Sequence, residues 1–309
     1  MARRLLAAIP VILVVAGFVF LLLRLSPGDP AAIIAGDVAT AADIARIRVR
    51  LGLDRPIHIQ FYEWSWHLLS GDLGTSIFSN LPVSRLIAQR LEPTIALTIL
   101  TMIVAIAAAV PIGVIAAWRA GTWIDRSIMG FAVLGFSVPV FALGYFLIWL
   151  FAVRLEWLPV QGYRPLSAGI GPFLESIILP SVALGIVYIA LIARMTRASM
   201  IEVLSQDYVR TAQAKGLSQW PVLLIHALKP ASVPIVTTIG IGVALLLGGV
   251  VVTESVFNIP GLGRLTVDAI LHRDYPVIQG VILVFAVIYL LINLAVDLVY
   301  TVLDPRIRY

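Results

Sequence analysis

Six stretches of about twenty residues carry almost nothing but apolar side chains, at roughly 5–23, 94–117, 128–152, 176–195, 231–252 and 277–302. A helix needs about 20 such residues to cross the hydrocarbon core of a bilayer, and in lipid a chain without a closed barrel must satisfy its backbone as helix. The remaining residues cannot clothe these runs for water. Only 13% of the 309 residues are charged, about half the share of a soluble domain. The expectation is an all-α membrane protein with six transmembrane helices in one domain over 1–309.

The first run could be mistaken for an export signal, because Arg3 and Arg4 precede it. Its apolar length, Leu5 to Leu23, exceeds the ~7–15 residues of a signal core. No small-x-small cleavage site follows closely, so it is expected to stay as the first span. Between the first two spans lies a mixed segment, 24–93, with soluble features. Thr40 and Asp43 have the spacing of a helix capping box, and Gly52 would end that helix. PIHIQFYEWSWHLLSGDLG follows as an aromatic-rich helix stopped by Gly71.

Orientation follows from arginine and lysine in the short loops. With a cytoplasmic N-terminus, the inner segments hold Arg3, Arg4, Arg119, Arg126, Arg194, Arg197, Arg210, Lys215, Lys229, Arg306 and Arg308. The short outer loops hold Arg154, Arg164, Arg264 and Arg273. The bias places both termini in the cytoplasm, 24–93 outside and 196–229 inside. The net charge of +5 belongs to this pattern, because no basic face interleaved with aromatics suggests nucleic acid.

Catalytic chemistry finds no footing. Neither Lys215 nor Lys229 sits in a G-x-x-x-x-G-K-[ST] loop, there is no H-E-x-x-H and no G-x-S-x-G, and cysteine is absent. His58, His67, His226 and His272 are scattered, whereas a zinc site needs three or four converging ligands. No catalytic or metal residue is assigned. Charges inside the spans are few, with Asp297 near one end of the sixth and Glu254 just past the fifth. An ion-coupled carrier usually carries a relay of such groups. Small residues and prolines crowd the second, third and fifth spans, including the bend-prone GFSVPVFALG.

One polar segment stands out among the apolar runs, DYVRTAQAKGLS from Asp207 to Ser218. Ser205 and Asp207 can cap a short helix, Asp207 can pair with Arg210, and Gly216 is a natural stop. Ser218 can cap a second helix that tolerates Pro221 and ends at Pro230. Val209, Ala212 and Gly216 share one side of the first helix, a shallow surface that a partner can approach closely or that an interfacial loop can lay down.

The segment resembles the "EAA" coupling-loop motif of ABC importer permeases, in the D-Y-V-R-T-A-x-A-K-G form of the dipeptide/oligopeptide class. Asp207, Tyr208, Val209, Arg210, Thr211, Ala212, Ala214, Lys215 and Gly216 match it. LSPGDPA, LGLDRPI, GDLGTS, TESVFNIPGLGRL, RDYPVIQG and DLVYTVLDPRIRY resemble the same class in order. The chain is therefore similar to the B-type permease of a dipeptide, oligopeptide or glutathione importer.

The resemblance implies the type I ABC importer permease fold in a prokaryotic cytoplasmic (inner) membrane. It implies a small extracytoplasmic insertion and no enzyme activity of the chain's own. The short helix would contact an ATPase subunit. Partners would be a homologous second permease, two ATP-binding subunits that hydrolyse ATP with magnesium, and an extracytoplasmic binding protein, all within membrane lipid. No cofactor would be bound by this chain. Glu254, Phe257, Pro260, Gly261 and Gly263, at the outer end of the fifth span, would shape the outer mouth. Glutathione, a nickel chelate or another small solute is an alternative cargo. An autonomous secondary transporter and a lipid-modifying enzyme are the rival classes.

Overall fold

The computed structural model describes residues 2–25, 31–32, 40–50 and 52–303. The motif LSPGDPA, apart from its ends, and the tail beyond Leu303 lie outside the described residues. Among those described, the regular structure is helical apart from an isolated antiparallel bridge between Thr75 and Pro82. In chain order the helices are α1 (Ala2–Leu25), α2 (Ala41–Arg50), α3 (Ile57–Leu69), α4 (Val83–Trp118), α5 (Trp123–Ser137) and α6 (Val140–Leu147). A π-helix, Ile148–Arg154, continues α6. Then come α7 (Ile170–Leu204), α8 (Asp207–Ala214), α9 (Gln219–Val256), α10 (Leu262–Leu271) and α11 (Tyr275–Leu303).

Four helices, α4, α7, α9 and α11, are each long and apolar enough to cross a membrane. The helices α5 and α6, the latter with its π-helical continuation, are long and apolar enough only when taken together, and they are bent by 102° at their junction. The apolar stretch described in α1 is Pro10–Leu21, shorter than a full span. An all-α membrane protein is thus what the chain forms, with the third expected span broken. The cause is local. Pro139 has no N–H to give and pushes the residue before it toward extended backbone. Val138 accordingly sits at φ −88°, ψ 124°. Ser137 turns its hydroxyl back to the Val133 carbonyl, 2.9 Å away.

The spans are apolar on both faces, the mark of a helix solvated by lipid. On α4, Leu97, Thr101, Ala105 and Ala109 repeat every four residues and are buried. Ile95, Ile99 and Ile103 repeat in the same way and are exposed. In water the second stripe would be polar.

The described residues form two compact units. The first draws on Met1–Leu91 and Leu265–Leu290. Its core sets Ala16, Val19 and Leu283 against Trp64 and Leu68. Phe20 meets Phe61 edge to face at 5.0 Å. Thr40 and Asp43 form the capping box, with the Thr40 hydroxyl donating to Asp43 at 2.6 Å and the Thr40 N–H donating at 3.1 Å. Gly52 and Gly71 stand at positive φ where α2 and α3 stop. Asp274, 4% exposed, accepts from the Ser76 hydroxyl and from the Ile77 N–H at 3.1 Å, fastening the loop that follows α3.

The second unit covers Glu92–Arg264 with Leu291–Tyr309. Its axis is α7, whose Ile177, Ser181, Leu184, Tyr188, Ile192 and Thr196 form a buried stripe at steps of three and four. Gly113 of α4 lies against this stripe so closely that a Cβ there would come within 2.7 Å of the Ala193 carbonyl. Small residues let helices approach in this way where lipid supplies no hydrophobic drive.

Candidate functional site

The residues singled out in the sequence occupy the two ends of α9, a helix of 38 residues and so about 57 Å long. Before its start lies α8. Past its end lies the turn 257–263.

Helix α8 begins at Asp207, with Gln206 rather than Ser205 in the N-cap position. Ser205 instead donates to the Glu202 carbonyl. The stop is the one expected. Gly216 stands at φ +82°. Its N–H donates to the Gln213 carbonyl at 2.9 Å, and the Leu217 N–H donates to the Ala212 carbonyl at 3.3 Å. This six-to-one, five-to-two pattern needs a left-handed residue, which glycine adopts without a Cβ penalty. Asp207 and Arg210 lie 3.7 Å apart, an exposed pair of the kind worth little.

Val209 is 0% exposed and Ala212 is 8% exposed. Their side packs against the end of α7 and the π-turn Val222–Ala227. The shared Val209–Ala212 side is therefore turned into the chain's own fold and is not a free docking surface. The surface α8 presents is the opposite one, with Asp207, Tyr208, Arg210, Thr211, Ala214 and Lys215 exposed. Gly216 is exposed at its end.

The second helix of this segment does not end at Pro230. It starts after Ser218, runs through the π-turn and continues to Val256. A proline ring clashes with the carbonyl four residues earlier and returns no N–H to it. Here that carbonyl belongs to His226, inside the π-turn, whose wider winding relieves the clash. The Tyr208 hydroxyl of α8 lies 3.5 Å from the same oxygen. Alongside, Arg197 near the end of α7 grips Asp125 of α5 with two guanidinium nitrogens, and the Gly121 N–H donates to the same carboxylate at 2.9 Å. Asp125 is 3% exposed. This fastening was not foreseen, since the two residues are 72 positions apart and carry no shared periodicity.

At the far end of α9 the five residues named for a mouth come together. Phe257 is 3% exposed, Gly261 and Gly263 are buried with it, and Pro260 is half-buried. Glu254 is 0% exposed. Its carboxylate accepts from the Thr94 hydroxyl at 2.6 Å and from the Arg264 N–H at 2.9 Å. A Cβ on Gly261 would fall on this carboxylate, and a Cβ on Gly263 would come within 2.6 Å of the Val251 Cα. The two glycines are thus fixed by a buried side chain and by backbone. Thr94, missed in the sequence, has a second role. Its oxygen accepts from the Leu262 N–H at 2.8 Å.

A loop covers this turn. The Gly162 N–H donates to the Phe257 carbonyl at 3.0 Å. Nearby, the Tyr163 hydroxyl donates to Glu92 at 3.1 Å. Burial first, then the Glu92 charge, pushes the Tyr163 hydroxyl above its ordinary range. Among the described residues no three His, Asp or Glu side chains converge as a metal site.

A helical bundle with broken and glycine-spaced spans, a short surface helix at one end of α9 and a locked turn at the other is the architecture of an all-α membrane protein. Comparison with known proteins gives the family. Residues 109–309 match the family described as "Binding-protein-dependent transport system inner membrane component", and residues 1–98 match its N-terminal companion. This chain belongs to that family. It is 55% identical, over 99% of its length and 98% of the relative, to the probable peptide ABC transporter permease protein y4tP of Sinorhizobium fredii. It is 48% identical, over the same shares, to the glutathione transport system permease protein GsiC of Salmonella choleraesuis. Its fold resembles a chain of the inward-facing MetNI methionine ABC transporter, with a TM-score of 0.60 at 18% identity, covering 72% of this chain and 97% of that one.

Proposed function

We propose that this chain is the membrane subunit of an ATP-driven, binding-protein-dependent importer of peptides, and that α8 is its coupling helix on a separate ATPase subunit. The observation that carries the reading is the division of α8 into two sides. Val209 and Ala212 are used up in the chain's own packing. The rest of the motif remains exposed on a helix closed by Gly216. Such a segment is held from behind and offers its polar side to another protein.

In this reading the translocation pathway is shared with a homologous permease. Two ATP-binding subunits hydrolyse ATP with magnesium, and an extracytoplasmic binding protein delivers the cargo. The chain binds no nucleotide. It spans the bacterial cytoplasmic membrane with both termini inside, so α8 is cytoplasmic and the turn 257–263 lies at the outer mouth. Closure of the ATPase pair would move α8 and rock the spans between inward and outward states.

Peptide is the first reading of the cargo because the relative at 55% identity is named for peptide. Glutathione, itself a small peptide, is the second, because a relative at 48% identity is named for it. The test is reconstitution. Alone in proteoliposomes the chain should neither hydrolyse ATP nor accumulate peptide under a proton or sodium gradient. With its partner permease, ATPases and binding protein the assembly should hydrolyse ATP and accumulate peptide without any ion gradient. Gradient-driven uptake by the lone chain contradicts the reading.

A further inference from the structure

Thr94 sits near the end of α4 opposite Trp118 and is 1% exposed. Its one hydroxyl joins three pieces of chain. It donates to Glu254 Oε1 at 2.6 Å and accepts from the Leu262 N–H at 2.8 Å. Glu254 lies in the last turn of the long helix α9 and Leu262 opens α10, so the hydroxyl bolts α4 to both sides of the turn between them. The second carboxylate oxygen holds the Arg264 N–H at 2.9 Å. The Arg264 guanidinium closes the turn on itself through Asn258.

What this bolt holds is a buried apolar plug. Ile259 and Leu262 are 0% exposed. Phe257 lies over Gly144 of α6, close enough that a Cβ there would stand 3.2 Å from its ring. A polar cluster of this sort is all-or-none. The three elements share these donors and acceptors, and a polar group that loses such a partner in a buried place is costly.

We propose that Thr94 is a positioning residue for transport, the latch that keeps the turn 257–263 seated in the outer mouth in the closed state. The outward-open state requires the Thr94–Glu254–Leu262 junction to part. The inference rests on the importer reading above and adds to it a specific closed-state contact.

The absence of cysteine from the chain makes the test direct. Ile259→Cys is introduced in the assembled transporter and probed with a membrane-impermeant maleimide from outside. Thr75→Cys, placed in the 24–93 segment, serves as the control for orientation. In the parent, Cys at 259 should be protected at rest and labelled at least tenfold faster when vanadate traps the ATPases. Thr94→Val removes the hydroxyl at nearly constant shape and should bring resting labelling up to the trapped level. Thr94→Ser should restore protection to within about twofold of the parent.

Protection of position 259 in the trapped state overturns the proposal without any change at Thr94. So does a Thr94→Val protein that stays protected at rest, or one in which serine fails to restore protection. Failure of the importer reading shows separately, as loss of peptide-stimulated ATP hydrolysis in the unlabelled parent complex.

Discussion

The two ends of α9 spend their polar groups in opposite ways. At the turn 257–263 they are turned inward. Glu254 is fully buried, its carboxylate holds a threonine and a backbone N–H, and two glycines leave room for it. On α8 they are turned outward. Arg210, Thr211 and Lys215 are exposed, and the Asp207–Arg210 pair at 3.7 Å adds little. A segment complete within its own chain needs no other protein to satisfy its polar groups. A segment that keeps its polar side exposed acts as a surface for something else. In the importer proposed above, the first would be the mouth that opens and closes and the second the coupling point that is pushed.

Substitutions can break this contrast, and the largest effect belongs to the turn. Glu254→Ala leaves the Thr94 hydroxyl and the Arg264 N–H without their acceptor in a buried place. Each orphaned group costs about 1–3 kcal/mol, so a loss of about 2–6 kcal/mol is expected, read as a lower melting temperature of the purified transporter and a reduced membrane level. The same substitution at an exposed position of α8 would move neither.

Next comes a pair of tryptophans one position apart on α8. Thr211→Trp fills the exposed side and should leave stability within about 0.5 kcal/mol, while peptide uptake falls more than tenfold. Ala212→Trp pushes into the chain's own packing and should cost about 1–3 kcal/mol by overfilling it. A thermal-shift assay and an uptake assay on both proteins separate the two sides of the helix. Equal stability loss in both would erase the distinction between a packed side and a docking side.

How much of this was legible in the sequence depends on the range of the interaction. The spans were visible because lipid demands long apolar runs. The capping box at Thr40 and Asp43 and the stop at Gly216 were visible because each is written in residues three or four apart. The side of α8 that stays exposed was not. Val209 and Ala212 share a side under either arrangement, and only the packing of α7 and the π-turn turns that side inward. Pro230 looked like a stop because the local rule says so, and the π-turn that carries the helix past it has no signal in a single sequence. Thr94 with Glu254 and Ser76 with Asp274, 160 and 198 residues apart, were out of reach because no period links such pairs. Their chemistry gives one retrospective hint, a carboxylate at the margin of an apolar run beside a glycine-rich turn.

The smallest expected effect belongs to α2. The Thr40 hydroxyl, then its N–H, holds the Asp43 carboxyl below its ordinary range. A depressed folded pKa stabilises the helix above the unfolded value of about 3.9 and loses that contribution as pH falls through the folded value. Hydrogen exchange across 41–50 should therefore be unchanged between pH 7 and 5, after correction for intrinsic rates, and quicken only below about pH 4. Asp43→Asn should remove the acid step.

The coupling role of α8 requires that it touch an ATPase. A photoreactive benzoylphenylalanine at Thr211, on the exposed side, should form an adduct with a co-expressed ATP-binding subunit in membranes. At Ile259, in the buried turn, the same probe should form none. An adduct from 211 alone is the predicted result. A transporter that imports peptide while position 211 yields no adduct with any ATP-binding subunit contradicts the coupling role of α8.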